Sequence, residues 1–196
     1  MMLISLFSLL LAAFAAADTC EIIDSTTEIE IHRRFELAYT VEQSEYWSTA
    51  CSALKPSCVL YPTNADEVAQ IVNILKTNDE AFAIKSGGHN PNDYFSSVDG
   101  GPLISTEQLN EVTLDRKART VRVGPGNRWE DVLGALDGTG LVVVGGRVGN
   151  VGVGGFLLGG NVNQWLLRCS PQTSTHTARA FLVIQNGRHT NYGQVA

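Results

Sequence analysis

Two stretches of this chain place backbone and side-chain chemistry side by side. The first reads Ser86-Gly87-Gly88-His89-Asn90 and the second Gly145-Gly146-Arg147-Val148-Gly149-Asn150-Val151-Gly152-Val153-Gly154-Gly155. Glycine lets the main chain take positive φ and approach a ligand closely, so successive N–H groups in such turns can line a concave anion site. A histidine just after a glycine pair adds an imidazole, which changes charge near neutral pH. The chain contains neither GxGxxG nor GxxxxGK followed by Ser or Thr, so the two standard phosphate-binding turns are absent. On glycine content alone, residues 145–155 read equally well as tight turns with close backbone packing. His89, taken alone, reads as a loop residue, and His32, His176 and His189 read as surface residues. No Ser-His-Asp set can be placed.

The elements that must carry these stretches follow from periodicity. Residues 58–61 read as a strand. Thr63 is positioned to cap a helix with Asp66 at its third position, and Val68, Ile71, Val72 and Leu75 form its apolar stripe. A second strand over 81–84 leads into Ser86-Gly87-Gly88, which makes a strand–helix–strand unit with the turn at its carboxyl end. Residues 102–105, 111–114 and 120–123 read as further strands. After Gly124-Pro125-Gly126, Asn127 with Glu130 is a second capping pair, and Trp129, Val132, Leu133 and Leu136 are a second stripe, ended by Gly138. Asp66 and Asp131 serve as caps or dipole partners. Residues 141–144 are a β-branched run entering the second glycine stretch. Alternating strands and helices predict an α+β or α/β layered fold.

Composition bounds the rest. The chain has 196 residues, 44% hydrophobic and 17% charged, which describes a folded globular protein. Its net charge of −6 and lack of a Lys/Arg cluster argue against nucleic-acid partners. Ten of its 19 glycines fall between Gly138 and Gly160, among valines and leucines, so flexibility and burial are required together. The length suits one domain with a sizeable core, or a fragment of something larger. Residues 3–17 are uncharged and apolar and end in Ala15-Ala16-Ala17, the pattern of a cleaved secretory signal. They fall short of the roughly 20 apolar residues that span a membrane. An exported chain meets oxidising conditions, so Cys20, Cys51, Cys58 and Cys169 are disulfide candidates with three full connectivities open. Their spacing does not suit zinc. Residues 18–54 read as a weakly patterned acidic arm, with Tyr46 and Trp47 as its anchors.

The ordered motifs carry more than any one of them. Lys85 through Asn90, Ser97-Val98-Asp99-Gly100-Gly101, Leu109-Asn110-Glu111-Val112, Val121-Arg122-Val123-Gly124-Pro125-Gly126 with Trp129, and Gly145 through Gly155 closely resemble the FAD-binding PCMH-type domain. The nearest likeness is to secreted fungal berberine-bridge-enzyme-like oxidoreductases. The resemblance implies an α+β fold of two α/β subdomains with FAD between them. With the leader over 1–17 and the arm over 18–54, it implies an FAD domain over 55–196, diverging after residue 160, with likeness returning over 181–188 as a strand and turn. The cofactor-binding residues it implies are Ser86, Gly87, Gly88, His89, Asn90, Gly146, Val148, Gly149, Gly152, Gly154 and Gly155.

In that family the corresponding histidine is joined covalently to a methyl of the flavin ring, a role that falls to His89. Some members add a cysteine link where this chain has Val148, so a single link is expected. The family reaction oxidises a small organic substrate, such as a carbohydrate or secondary metabolite, by hydride transfer to the flavin. Molecular oxygen then accepts the electrons, and no membrane partner is implied after leader cleavage. Family members are longer and carry a substrate domain and a catalytic base, so the chain is expected to be a truncated form, with no catalytic residue assigned.

Overall fold

The computed structural model describes residues 18–159 and the backbone of one further strand, Phe181–Asn186. Residues 1–17, read above as a leader, Cys169, His176, His189 and the divergence expected after residue 160 lie outside the described residues.

The first subdomain is a four-stranded sheet. It comprises β1 (Glu30–Arg33), β2 (Cys58–Tyr61), β3 (Ala83–Lys85) and β4 (Leu103–Ser105), in the order β1-β2-β4-β3. β2 and β3 both run parallel to β4, and β1 is an antiparallel edge. Alternation along β2 explains why all four of its residues are buried. Cys58 and Leu60 face a core built with Ile23, Ile29, Ile71, Leu75 and Ile104, whereas Val59 and Tyr61 face a second one with Tyr39, Ala83, Val98 and Leu103.

The second subdomain pairs β5 (Val112–Asp115), β6 (Thr120–Val123), β7 (Leu141–Val143) and β8 (Phe181–Asn186) in the order β5-β6-β8-β7, all antiparallel. Its core is Val121, Trp129, Val132, Leu136, Val143 and Val153. Two α+β subdomains are thus present, as the motifs imply, and β8 forms where the sequence reads a strand.

Six helices complete the described residues: α1 (Thr19–Thr26), α2 (Leu37–Ser44), α3 (Thr49–Ala53), α4 (Ala65–Asn78), α5 (Trp129–Leu136) and α6 (Val153–Leu158). The sequence reading of their starts is off by one residue. Asn64, not Thr63, caps α4: its side chain accepts from the Glu67 N–H at 2.9 Å, and the Glu67 carboxylate accepts from the Thr63 N–H at 2.7 Å. At α5 the Asp131 carboxylate accepts from the Arg128 N–H at 2.7 Å. Asn127 instead stays in the preceding turn, donating to the carbonyls of Glu111 and Gly124. The stripes are narrower too. Ile71 and Leu75 are buried with Ile74 packed against them, while Val72 and Leu133 are exposed.

The arm is ordered rather than weakly patterned. It supplies α1, α2, α3 and the edge strand β1, and a Cys20–Cys58 disulfide ties α1 to β2. Its buried anchors are Ile23, Ile29, Tyr39 and Glu42. Tyr46 is an anchor as expected, but the Trp47 ring is 62% exposed. Cys51 is a buried free thiol facing the carbonyls of Asn90 and Asn92.

Candidate functional site

The first glycine stretch leaves β3 at Lys85, a lysine 1% exposed. Its ammonium lies 3.0 Å from a Glu42 carboxylate oxygen, donates to the Glu42 carbonyl at 2.8 Å, and sits 4.6 Å from the centroid of the Tyr46 ring. Glu42 also accepts from the Tyr61 hydroxyl at 3.3 Å. A charge is tolerated at such depth only when it is paired and its remaining valences are used, and both conditions hold. Burial pushes the Tyr46 phenol up, so it stays protonated and donates to the Ser96 carbonyl at 2.7 Å. Burial, and then the Glu42 charge, push the Tyr61 phenol up as well.

Beyond Lys85 each residue of the stretch has a definite place. The Ser86 hydroxyl donates to the Pro125 carbonyl at 2.6 Å. A side chain on Gly87 would overlap the Gly152 backbone, and one on Gly152 would overlap Gly87, so the two glycine stretches meet there main chain to main chain. Gly88 turns at φ +64°, and its carbonyl accepts from the Trp47 N–H at 3.1 Å. The His89 ring stacks on the Trp47 ring with centroids 5.5 Å apart and planes 26° apart. Asn90 caps its own turn, accepting from the Asn92 N–H at 3.0 Å.

The second stretch divides in two. Side chains on Gly145 and Gly146 would run into the Trp129 indole, and one on Gly149 would meet the Glu130 carboxylate at 2.9 Å, so these glycines accommodate α5. Val148 is exposed. From Asn150 onward the chain turns toward the first stretch. Gly152 touches Gly87, Gly154 sits 3.3 Å from the Ser86 Cβ by the position its own Cβ would take, and Gly155 faces open space. Of the sequence-derived residues, the structure therefore gathers Ser86, Gly87, Gly88, His89, Gly152 and Gly154 along one seam. Gly146 and Gly149 lie apart from it, against α5, and Val148 is exposed.

Arg128 fastens that seam. One guanidinium nitrogen donates to the carbonyls of Gly87 at 3.2 Å and Asn150 at 2.6 Å, and another pairs with the Glu45 carboxylate at 3.3 Å. Glu45, Trp47, Gly87, His89, Arg128 and Asn150 wall a cleft of about 310 Å³. Arg128, Glu45, Trp47 and Asn150 were not read from the sequence as site residues. Arg128 carried no motif, and its partners are remote along the chain. The inward face of Lys85 was readable, because it alternates with Ala83 on the buried side of β3.

The arrangement can cradle a flat aromatic group through the Trp47 face and the His89 edge. It can also bring main-chain amides freed of side chains close to an attached anion. A phosphorylated aromatic cofactor such as FAD fits this set of groups.

Comparison with known proteins agrees with the fit. Residues 56–188 match a family model described as an FAD binding domain. An FAD-linked oxidoreductase of Arthroderma benhamiae is 48% identical over 126 residues, covering 64% of this chain and 25% of that protein. An FAD-dependent monooxygenase of Penicillium terrestre is 45% identical over 122 residues, covering 62% of this chain and 23% of that protein. The chain thus spans about a quarter of the length of these curated relatives. Among solved structures, BBE-like 1 of Physcomitrella patens shares the fold, with a TM-score of 0.63 at 20% identity over 71% of this chain and 30% of that one. The 6-hydroxy-D-nicotine oxidase of Arthrobacter nicotinovorans superposes with a TM-score of 0.58 at 25% identity, over 66% of this chain and 27% of that one. Since the family model takes in the glycine seam and seven of the eight strands, the chain belongs to the FAD binding domain family.

Proposed function

We propose that this chain holds FAD against the seam between its two glycine stretches, covalently through His89, and serves the oxidation of a small organic molecule. The observation that carries the reading is the Gly87–Gly152 contact. It brings bare backbone from both subdomains together just before His89, which supports a cofactor extended between them. Ser86, Gly87, Gly88 and Asn90 on one side, and Gly152, Gly154 and Gly155 on the other, would hold the group.

Bound flavin supplies hydride acceptance, with molecular oxygen as the terminal acceptor. Attachment would form a bond from a His89 imidazole nitrogen to a ring methyl carbon and break one methyl C–H and one imidazole N–H. The two electrons and two protons released would pass to oxygen as hydrogen peroxide. Val148 offers no thiol for a second link. The substrate class, a carbohydrate or secondary metabolite, rests on the family resemblance.

Export completes the proposal. It is supported by the apolar leader and by the Cys20–Cys58 disulfide, a bond favoured in oxidising compartments.

The test is expression of the full chain in a secreting yeast. A yellow protein in the medium whose flavin stays on the denatured polypeptide, and is lost in His89→Ala, is the expected result. Well-folded colourless protein rejects the cofactor assignment. Attached flavin in His89→Ala rejects the anchor. Flavin-loaded chain that forms no peroxide with a panel of sugars and alcohols would reject the oxidation reading.

A further inference from the structure

We propose that Trp47 is a positioning residue for His89, a role that rests on the anchor assignment above. Among the described residues the His89 imidazole makes no hydrogen bond, and its one directional contact is the stack on Trp47 at 5.5 Å and 26°. The Trp47 main chain is attached at a second point, its backbone N–H donating to the Gly88 carbonyl at 3.1 Å. This ties the segment that carries the indole to the turn that carries the imidazole.

Burial does not hold the Trp47 ring in place; its neighbours do. Tyr46, the preceding residue, lies under the Lys85 ammonium and donates to the Ser96 carbonyl, and Lys85 is locked to Glu42. A Cβ on Gly88 would meet the Glu45 carbonyl and the Tyr46 ring at 3.2 Å each, so the glycine also lets residues 45–47 come this close.

The choice of contact has a chemical reason. A hydrogen bond would orient the imidazole by engaging one of its two nitrogens. A stack orients the ring through its face and leaves the edge nitrogens open, so the one that forms the bond is unobstructed. The arm, which carries Trp47, thereby becomes part of the flavin site rather than a wrapping of the domain.

Two variants of the full chain test this, Trp47→Ala and Trp47→Phe, compared with the parent by two readouts. The first needs no cofactor. In flavin-free chain the ring protons of His89, assigned by their absence in His89→Gln, lie in the ring current of Trp47. They move downfield in Trp47→Ala and stay near their parent position in Trp47→Phe. The second is the fraction of chain that keeps flavin after denaturation. It falls several-fold in Trp47→Ala and recovers in Trp47→Phe, with the melting temperature unchanged because the side chain is mostly exposed. Unmoved His89 signals in Trp47→Ala overturn the stack. Equal flavin retention in parent and Trp47→Ala overturns the positioning role. A parent that never retains flavin overturns the anchor reading itself, and the ring-current result still decides whether the stack exists.

Discussion

The two glycine stretches look alike as sequence and are held in place by different physics. Residues 86–90 are held from behind by a buried ion pair, with polar partners for Ser86, Gly88 and Asn90. Residues 145–149 are held by contact with α5, the first two glycines lying flat on the Trp129 indole. In the first stretch glycine answers a turn at positive φ and a backbone approaching from the other subdomain. Over residues 145–149 it makes room for a large aromatic that fills the core. Glycine density alone therefore does not say why glycine is needed; what a Cβ would strike distinguishes the two uses.

The largest test of this contrast is Lys85→Met. It leaves the Glu42 carboxylate buried without its cation, and a loss of about 3–5 kcal/mol in urea denaturation is expected. The double variant Glu42→Leu with Lys85→Met recovers most of that stability. A single variant as stable as the parent would mean that the first stretch has no polar foundation. Gly87→Ala and Gly145→Ala come next, each overpacked by about 1–3 kcal/mol. Gly87→Ala falls at the upper end, because it strikes main chain, whereas an indole can tilt. Pairing Gly145→Ala with Trp129→Phe in a double-mutant cycle gives a loss smaller than the sum, and strict additivity would remove Trp129 as the cause.

Gly155→Ala sharpens the same comparison in the opposite direction. It sits inside α6 facing open space, so alanine raises stability by about 0.5–1 kcal/mol in thermal melts. If that open side receives the cofactor, the same variant retains less flavin although it folds better.

The smallest effect belongs to the far edge of the first sheet, which serves as a control for both stretches. His32 hydrogen-bonds Glu30 at 2.8 Å and Glu36 at 2.6 Å. The Glu30 bond, then the Glu36 bond, raise the imidazole above its ordinary 6.5. The His32 bond holds both carboxyls below their ordinary 4.5. A raised imidazole stabilises fully below its unfolded value and loses that contribution as pH rises through its folded one. The lowered carboxyls contribute above 4.5 and lose their share as pH falls through their folded values. The cluster therefore contributes most between these two ranges. The melting temperature of the parent should decline toward alkaline pH relative to His32→Gln, and parallel profiles would disprove the linkage.

Local patterns were legible in the sequence, and meetings between distant residues were not. β2 and β6 fall where β-branched and apolar runs place them, and β4, β5 and β7 lie within a residue of their reading. β3 starts later than expected, at Ala83, where its pairing with β4 begins opposite Leu103. The arm defeated the reading for a physical reason. β1 is mostly polar and becomes a strand only by pairing with β2, and α1 is fixed by a cysteine far along the chain. The site divides the same way. Ser86 through Asn90 could be named from spacing, but no periodicity announces that Gly87 touches Gly152 or that Arg128 gathers Glu45, Gly87 and Asn150. Trp47 was noticed as an aromatic of the arm, and only the fold shows it resting on His89.

The Cys20–Cys58 bond closes a covalent ring, its ends 38 residues apart, around almost the whole arm. β1, α2, α3 and Trp47 all lie inside that ring. A protease that cuts once between the two cysteines opens the ring but releases nothing: both new ends remain on one molecule until a reductant arrives. Integrity of the cleft wall and integrity of the peptide chain are thus separate properties here. Gel mobility with and without thiol tells a nicked but assembled molecule from an intact one.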